Sequence, residues 1–142
     1  MFAAPLLLAA LAAPDHHLEQ EAPPNPLADR LVAAAGADAA DRPFGLIVSL
    51  TAKAGQEDAL IAAYRAAATK SLAEEGCTQY ALVRDVENPR QFTLLERWAN
   101  AAALTEHLGR PYTKAFVGQF GDLLDDSGVA IVQGVGAGPA AE

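Results

Sequence analysis

A single cysteine, Cys77, leaves the chain no intrachain disulfide and no thiolate set for a structural zinc. Its redox compartment stays open on that count. Basic side chains are also scarce, with ten Lys and Arg against eighteen Asp and Glu and a net charge of −8. No basic stripe exists to follow a phosphate backbone, so nucleic acid is excluded as a partner. Anionic lipid is disfavoured by the same charge, and stable membrane association is not expected. No His or carboxylate cluster has the spacing of a zinc or iron site. P-loop, G-x-S-x-G and C-x-x-C motifs are absent. The glycines of Gly134-Val135-Gly136-Ala137-Gly138 follow the last expected strand with no helix after them, so they do not make a dinucleotide fingerprint.

What is present is 142 residues, 51% hydrophobic and much of that alanine, which suits one domain with closely packed helices. Residues 1–13 are apolar and end in an A-x-A-like run, Ala10-Leu11-Ala12, as a secretory signal does. No Lys or Arg precedes that run, and it is too short to span a bilayer, so export and cytoplasmic residence both stay open. Residues 14–26 are rich in Pro, Glu and His and read as a linker; residues 1–26 together form the leader and linker. The Leu27, Leu31, Ala34 and Ala35 spacing gives residues 27–43 a short appended helix, ending at Gly36, or more linker.

The globular part is expected over 44–135. Phe44, Leu46, Val48 and Leu50 alternate with smaller or polar residues, as in a strand with one core face. Gln56-Glu57-Asp58 opens a helix with acids in its first turn, and Leu60, Tyr64, Ala68 and Leu72 form its apolar stripe, widened by Ile61. Gly76 is expected as its C′ residue. Strands follow over 77–86 and 91–98, joined by a turn at Glu87-Asn88-Pro89-Arg90. Asn100 should cap a helix over 101–108, and Pro111 should start another reaching about residue 124. Ser127-Gly128 should end it before a last strand over 129–133, and residues 136–142 read as a flexible tail. This β-α-β-β-α-β order is that of an α+β ferredoxin-like split βαβ fold. Helices on one face leave the other sheet face to a second copy, so a homodimer is the expected partner.

On 91–98, residues Phe92, Leu94, Glu96 and Trp98 share one face, because strand side chains alternate. A carboxylate there needs a partner. His107 lies in the next helix, close enough in sequence to meet it. A Glu96–His107 pair would fix an imidazole tautomer and serve either as a structural tie or as a general base beside Trp98, a flat wall for an aromatic substrate. Tyr80 alternates with Leu82 and either reaches the same pocket or packs. Cys77 follows a helix end, where nothing lowers its pKa, and reads as a small buried residue.

These residues carry a family likeness. Lys53-Ala54-Gly55-Gln56-Glu57, Glu74-Glu75-Gly76-Cys77-Thr78-Gln79-Tyr80, Glu96-Arg97-Trp98, His107-Leu108 and Lys114-Ala115-Phe116 resemble the antibiotic biosynthesis monooxygenase domain, most closely its quinol monooxygenase branch. The likeness spans 44–135 and implies a dimeric α/β barrel. It also implies oxygenation of a quinol or other phenolic aromatic small molecule by O₂ with no cofactor, neither metal, flavin nor haem. His107, Glu96 and Trp98 would be the catalytic group, with Trp98, Tyr80, Leu94, Tyr64 and Tyr112 binding substrate. A non-catalytic dimeric small-molecule-binding module of the same fold is the alternative. Leu94 and Leu104 stand where the polyketide-oxidising branch carries Asn and Tyr. Tyr112 stands where the quinol branch often carries His, and no His lies in Tyr112-Thr113-Lys114-Ala115-Phe116 to ligate haem.

Overall fold

The computed structural model of the chain describes residues 26–134. The expected leader and linker, apart from Pro26, and the expected tail lie outside the described residues. Helix α1 (Pro26–Ala35) is followed by a short 3₁₀ turn (Ala37–Ala40) and strand β1 (Phe44–Ala52). Helix α2 (Glu57–Leu72) leads to β2 (Cys77–Arg84) and β3 (Gln91–Trp98). Helices α3 (Ala101–Gly109), α4 (Pro111–Gly118) and α5 (Phe120–Leu123) precede β4 (Leu124–Val132). The sheet order β2-β3-β1-β4, antiparallel throughout, is the ferredoxin-like α+β fold expected from the sequence.

The inner sheet face carries the alternation read in the sequence. Phe44, Leu46, Val48 and Leu50 of β1 are buried beside Phe92, Leu94, Glu96 and Trp98 of β3. Register puts Phe44 opposite Trp98 and Leu46 opposite Glu96. Asn100 caps α3 as expected, its side-chain oxygen accepting from the Ala103 N–H.

Several boundaries differ from expectation, each for a local reason. Strand β2 stops at Arg84, because Asp85 Oδ1 accepts from the N–H groups of Glu87 and Asn88 and turns the chain early. Leu72 is half exposed; Ala67 and Ser71 are buried in its place, with the Ser71 hydroxyl returned to the Ala67 carbonyl. Gly76 is not a left-handed cap. A Cβ at Gly76 would stand 2.3 Å from the Ala103 Cβ, so glycine is needed there to let α3 approach the start of β2. The helix after Pro111 is broken at Gly118-Gln119 into α4 and α5. Ser127-Gly128 lies inside β4, where pairing with Ser49 and Leu50 of β1 overrides the local turn preference.

Helix α1 is part of the core rather than an appendage. Ala28, Leu31, Ala35 and Ala39 are buried, and α1 packs on α3 and β4. Gly36, at φ 80°, makes the left-handed turn that ends the helix. The outer sheet face stays open, with Ile47, Val83 and Val132 each more than a third exposed. Among the described residues no helix is long and apolar enough to cross a membrane.

Candidate functional site

Burial makes His107 the natural centre of the site. It lies in the second turn of α3, 2% exposed, with its ring centroid 4.4 Å from that of Trp98 and 5.6 Å from that of Tyr80. Its Nδ1 is 2.8 Å from Glu74 Oε1, and Thr113 Oγ1 stands 3.4 Å from the same nitrogen. Tyr112, at the start of α4, donates its hydroxyl to the same Glu74 oxygen at 2.5 Å. A carboxylate beside Nδ1 favours the tautomer with the proton there, leaving Nε2 as the basic nitrogen.

The pairing differs from the one expected. Glu96 does not hold His107; its Oε2 accepts from the Trp98 indole N–H at 2.8 Å, two residues along the same strand. The reason is reach. Glu74 follows the end of α2 in the turn that carries Gly76, and the Gly76–Ala103 approach brings that turn against α3. Sequence reading named Glu74 only within a motif and gave it no role. The signal was present: two acids, Glu74-Glu75, follow a helix C-terminus, where the helix dipole favours cations.

A cavity of about 250 Å³ opens beside this cluster, between the inner sheet face and the helices. Tyr80, Leu94, Glu96 and His107 line it, together with Thr113 and Phe116. Trp98, Tyr64 and Tyr112 do not line it, because other bonds turn them away. Trp98 is tied to Glu96 behind the imidazole. Tyr64 stacks on Tyr80 and donates its hydroxyl to the Tyr80 carbonyl, and Tyr112 faces Glu74. These three hold the wall rather than form it. An engineered apolar cavity of about 150 Å³ accepts benzene, so this one suits a molecule of one or two fused rings.

The electrostatics follow from burial. Desolvation lowers the His107 pKa, against the hydrogen bond and charge of Glu74, so the imidazole is neutral at pH 7 and able to take a proton. Desolvation raises Glu96 to about 7, opposed by the Trp98 N–H and assisted by the Glu74 charge. Burial pushes the Tyr112 hydroxyl up to about 12, aided by its hydrogen bond to Glu74, and pushes Tyr80 higher still. The Cys77 thiol is raised to about 11 by desolvation, which fits its expected inert, buried role. Among the described residues no group of three His, Cys, Asp or Glu side chains is placed to hold a metal ion.

Glu96 makes stability depend on pH in a checkable way. Its folded pKa lies above its unfolded value of 4.5, so burial costs stability above about pH 7, and the cost fades as pH falls through 7 towards 4.5. Glu96→Gln is therefore expected to melt higher than wild type in alkaline solution, by about 1–3 kcal/mol, with the gain vanishing in acid. Thermal melts across pH read this directly, and a wild type that melts higher in alkali would overturn the assignment.

Residues 43–119 match the antibiotic biosynthesis monooxygenase family, more than half of the chain. The chain belongs to this family. Among solved structures, PA3566 of Pseudomonas aeruginosa is 30% identical, with 67% of this chain and 96% of that one covered at a TM-score of 0.64. Rv0793 of Mycobacterium tuberculosis is 28% identical, covering 67% and 97% at 0.63. An antibiotic biosynthesis monooxygenase of known structure is 24% identical, covering 66% and 99% at 0.61, a likeness that speaks for the fold. No curated protein sequence matches the chain significantly. The family match covers His107, Glu96, Trp98 and Glu74, and leaves α1 outside.

Proposed function

We propose that the protein is a monooxygenase that oxidises a quinol or other phenolic aromatic small molecule with O₂, the substrate itself supplying the electrons. The observation that carries this reading is a buried, neutral histidine, held by a carboxylate on one nitrogen, on the wall of an aromatic-sized cavity. In this reading His107 Nε2 takes the phenolic proton. The resulting anion passes one electron to O₂, giving a substrate radical and superoxide, which combine to form a carbon–oxygen bond. Cleavage of the O–O bond leaves one oxygen on the ring as a carbonyl and releases the other as water. A hydroquinone and O₂ thus give a hydroxyquinone and water, with atoms and electrons balanced.

Glu74 is the positioning residue that fixes the His107 tautomer, and Tyr112 holds Glu74. Glu96 and Tyr80 border the substrate on the sheet side, with Leu94 as an apolar contact. Trp98 backs the imidazole and orients Glu96. The working unit in this reading is a homodimer, supported by the open outer face with Ile47, Val83 and Val132.

The test is oxygen uptake by purified protein over a panel of reduced quinols and anthrone-like phenols, with a metal chelator present. Chelator-resistant uptake above the autoxidation rate is expected, from a preparation that sediments as a dimer. Tight binding of the same phenols without uptake would instead favour a non-catalytic binding module.

A further inference from the structure

Helix α1 brings a charge to the cavity that the family domain does not. It lies outside the matched residues 43–119, yet Leu27, Arg30 and Leu31, at i, i+3 and i+4 on one helix face, line the cavity. Leu31 is 6% exposed, and Ala28 and Ala35 on either side are buried, so this wall is fixed by core packing and not a loose flap. Arg30 itself is exposed, whereas Glu96 and His107 are 8% and 2% exposed. The exposed arginine marks the mouth of the cavity and the buried pair marks its inner end.

The rest of the lining makes Arg30 distinctive. Leu46, Val48, Leu94 and Phe116 are apolar, and Arg30 is the one permanent cation among the described lining residues. Among the described residues its guanidinium makes no ion pair; the arginine pairs formed are Arg90–Asp125 and Arg110–Glu106. In a chain of net charge −8, a guanidinium at a cavity mouth with no ion pair among the described residues is a local exception to a field that repels anions. Its planar fork matches a carboxylate or sulfonate bidentately. It also lines the shallow groove with Leu31, Ala34, Val129 and Ile131, on the inner face of edge strand β4, so the apolar floor continues to its position.

We propose that Arg30 on α1 is a specificity residue, selecting phenolic aromatic substrates that carry an anionic substituent at the end of the molecule away from the reacting hydroxyl. This rests on the reading of the cavity as the substrate pocket. The phenol end enters towards His107 and Glu96, where a second full negative charge would meet a carboxylate and low dielectric. The anionic end stays at the mouth, half solvated, against Arg30. Polarity of the pocket thus fixes the direction of entry as well as the class of substrate.

The probes are 2-naphthol and its 6-sulfonate, two bicyclic phenols that differ only in the charged group, titrated into the full chain by calorimetry. Wild type is expected to bind the sulfonate about fivefold more tightly than the neutral phenol, the upper end for a solvent-exposed ion pair. Arg30→Ala should bring the two affinities together, Arg30→Glu should reverse their order, and raised salt should narrow the wild-type difference. Equal binding of the two probes by wild type, or a preference that survives Arg30→Ala, overturns the assignment while leaving the pocket in place. Failure of both probes to bind overturns the pocket reading itself, and the assignment with it.

Discussion

Replacing His107 by alanine is expected to lower quinol-dependent oxygen uptake by about 10²- to 10⁴-fold, the usual share of a positioned general base. The imidazole is the buried base on the cavity wall whose pKa is depressed by desolvation, so it is unprotonated when substrate arrives. Uptake within threefold of wild type would remove His107 from the chemistry. The pH dependence adds a sharper readout. The proposed mechanism needs the neutral ring, and the folded pKa lies below the ordinary value of 6.5, so kcat/KM should be level at neutral pH and decline only in acid.

Glu74→Gln extends this prediction to the positioning role. Glu74 raises the basicity of His107 through its hydrogen bond and its charge, in opposition to desolvation. Without the charge, the acid limb of the profile should move to lower pH and the rate should fall about 10- to 100-fold, a fraction of the full base contribution. A purely structural Glu74 would reduce the yield of folded protein but leave the position of the acid limb unchanged.

Trp98→Ala carries the largest expected loss of stability, about 3–5 kcal/mol by urea denaturation. The indole is wholly buried beside Phe44 across the β1–β3 pair, so deletion leaves a cavity under the end of the sheet's inner face. It also deprives Glu96 of the N–H that favours its ionised form. The penalty should therefore grow as pH rises through about 7, where a carboxylate without that donor becomes charged in the core. Trp98→Phe separates the two effects. It keeps most of the volume, so a loss of about 1–2 kcal/mol that appears mainly in alkali would report the missing hydrogen bond alone. A Trp98→Ala penalty below about 1 kcal/mol would contradict the packing described here.

The β-α-β-β-α-β order was legible in the chain because period-two and helical periodicities report burial directly. The polar intruder Glu96 and the buried Trp98 were legible for the same reason: one is the wrong polarity, the other an unusually large ring, at a core position. Element ends were less so. Gly76 and Ser127-Gly128 look like stops, but the first is required by the Cβ of Ala103 and the second is held in β4 by its ladder to β1. Both are contacts between segments distant in sequence, and local propensity does not encode them.

Sequence by itself determined the fold class, the family likeness and which face of β3 looks into the core, since these follow from residue type and spacing along one strand or helix. Only the tertiary structure decided which carboxylate holds the histidine and what closes the cavity. Spacing along the chain points to Glu96, and the close approach of α3 at Gly76 brings Glu74 to the imidazole instead. Helix α1 looks like an appendage in the sequence. Its burial against α3 and β4 makes it a wall of the site, because hydrophobic area is removed from water wherever the fold offers a matching surface, however far along the chain that surface lies.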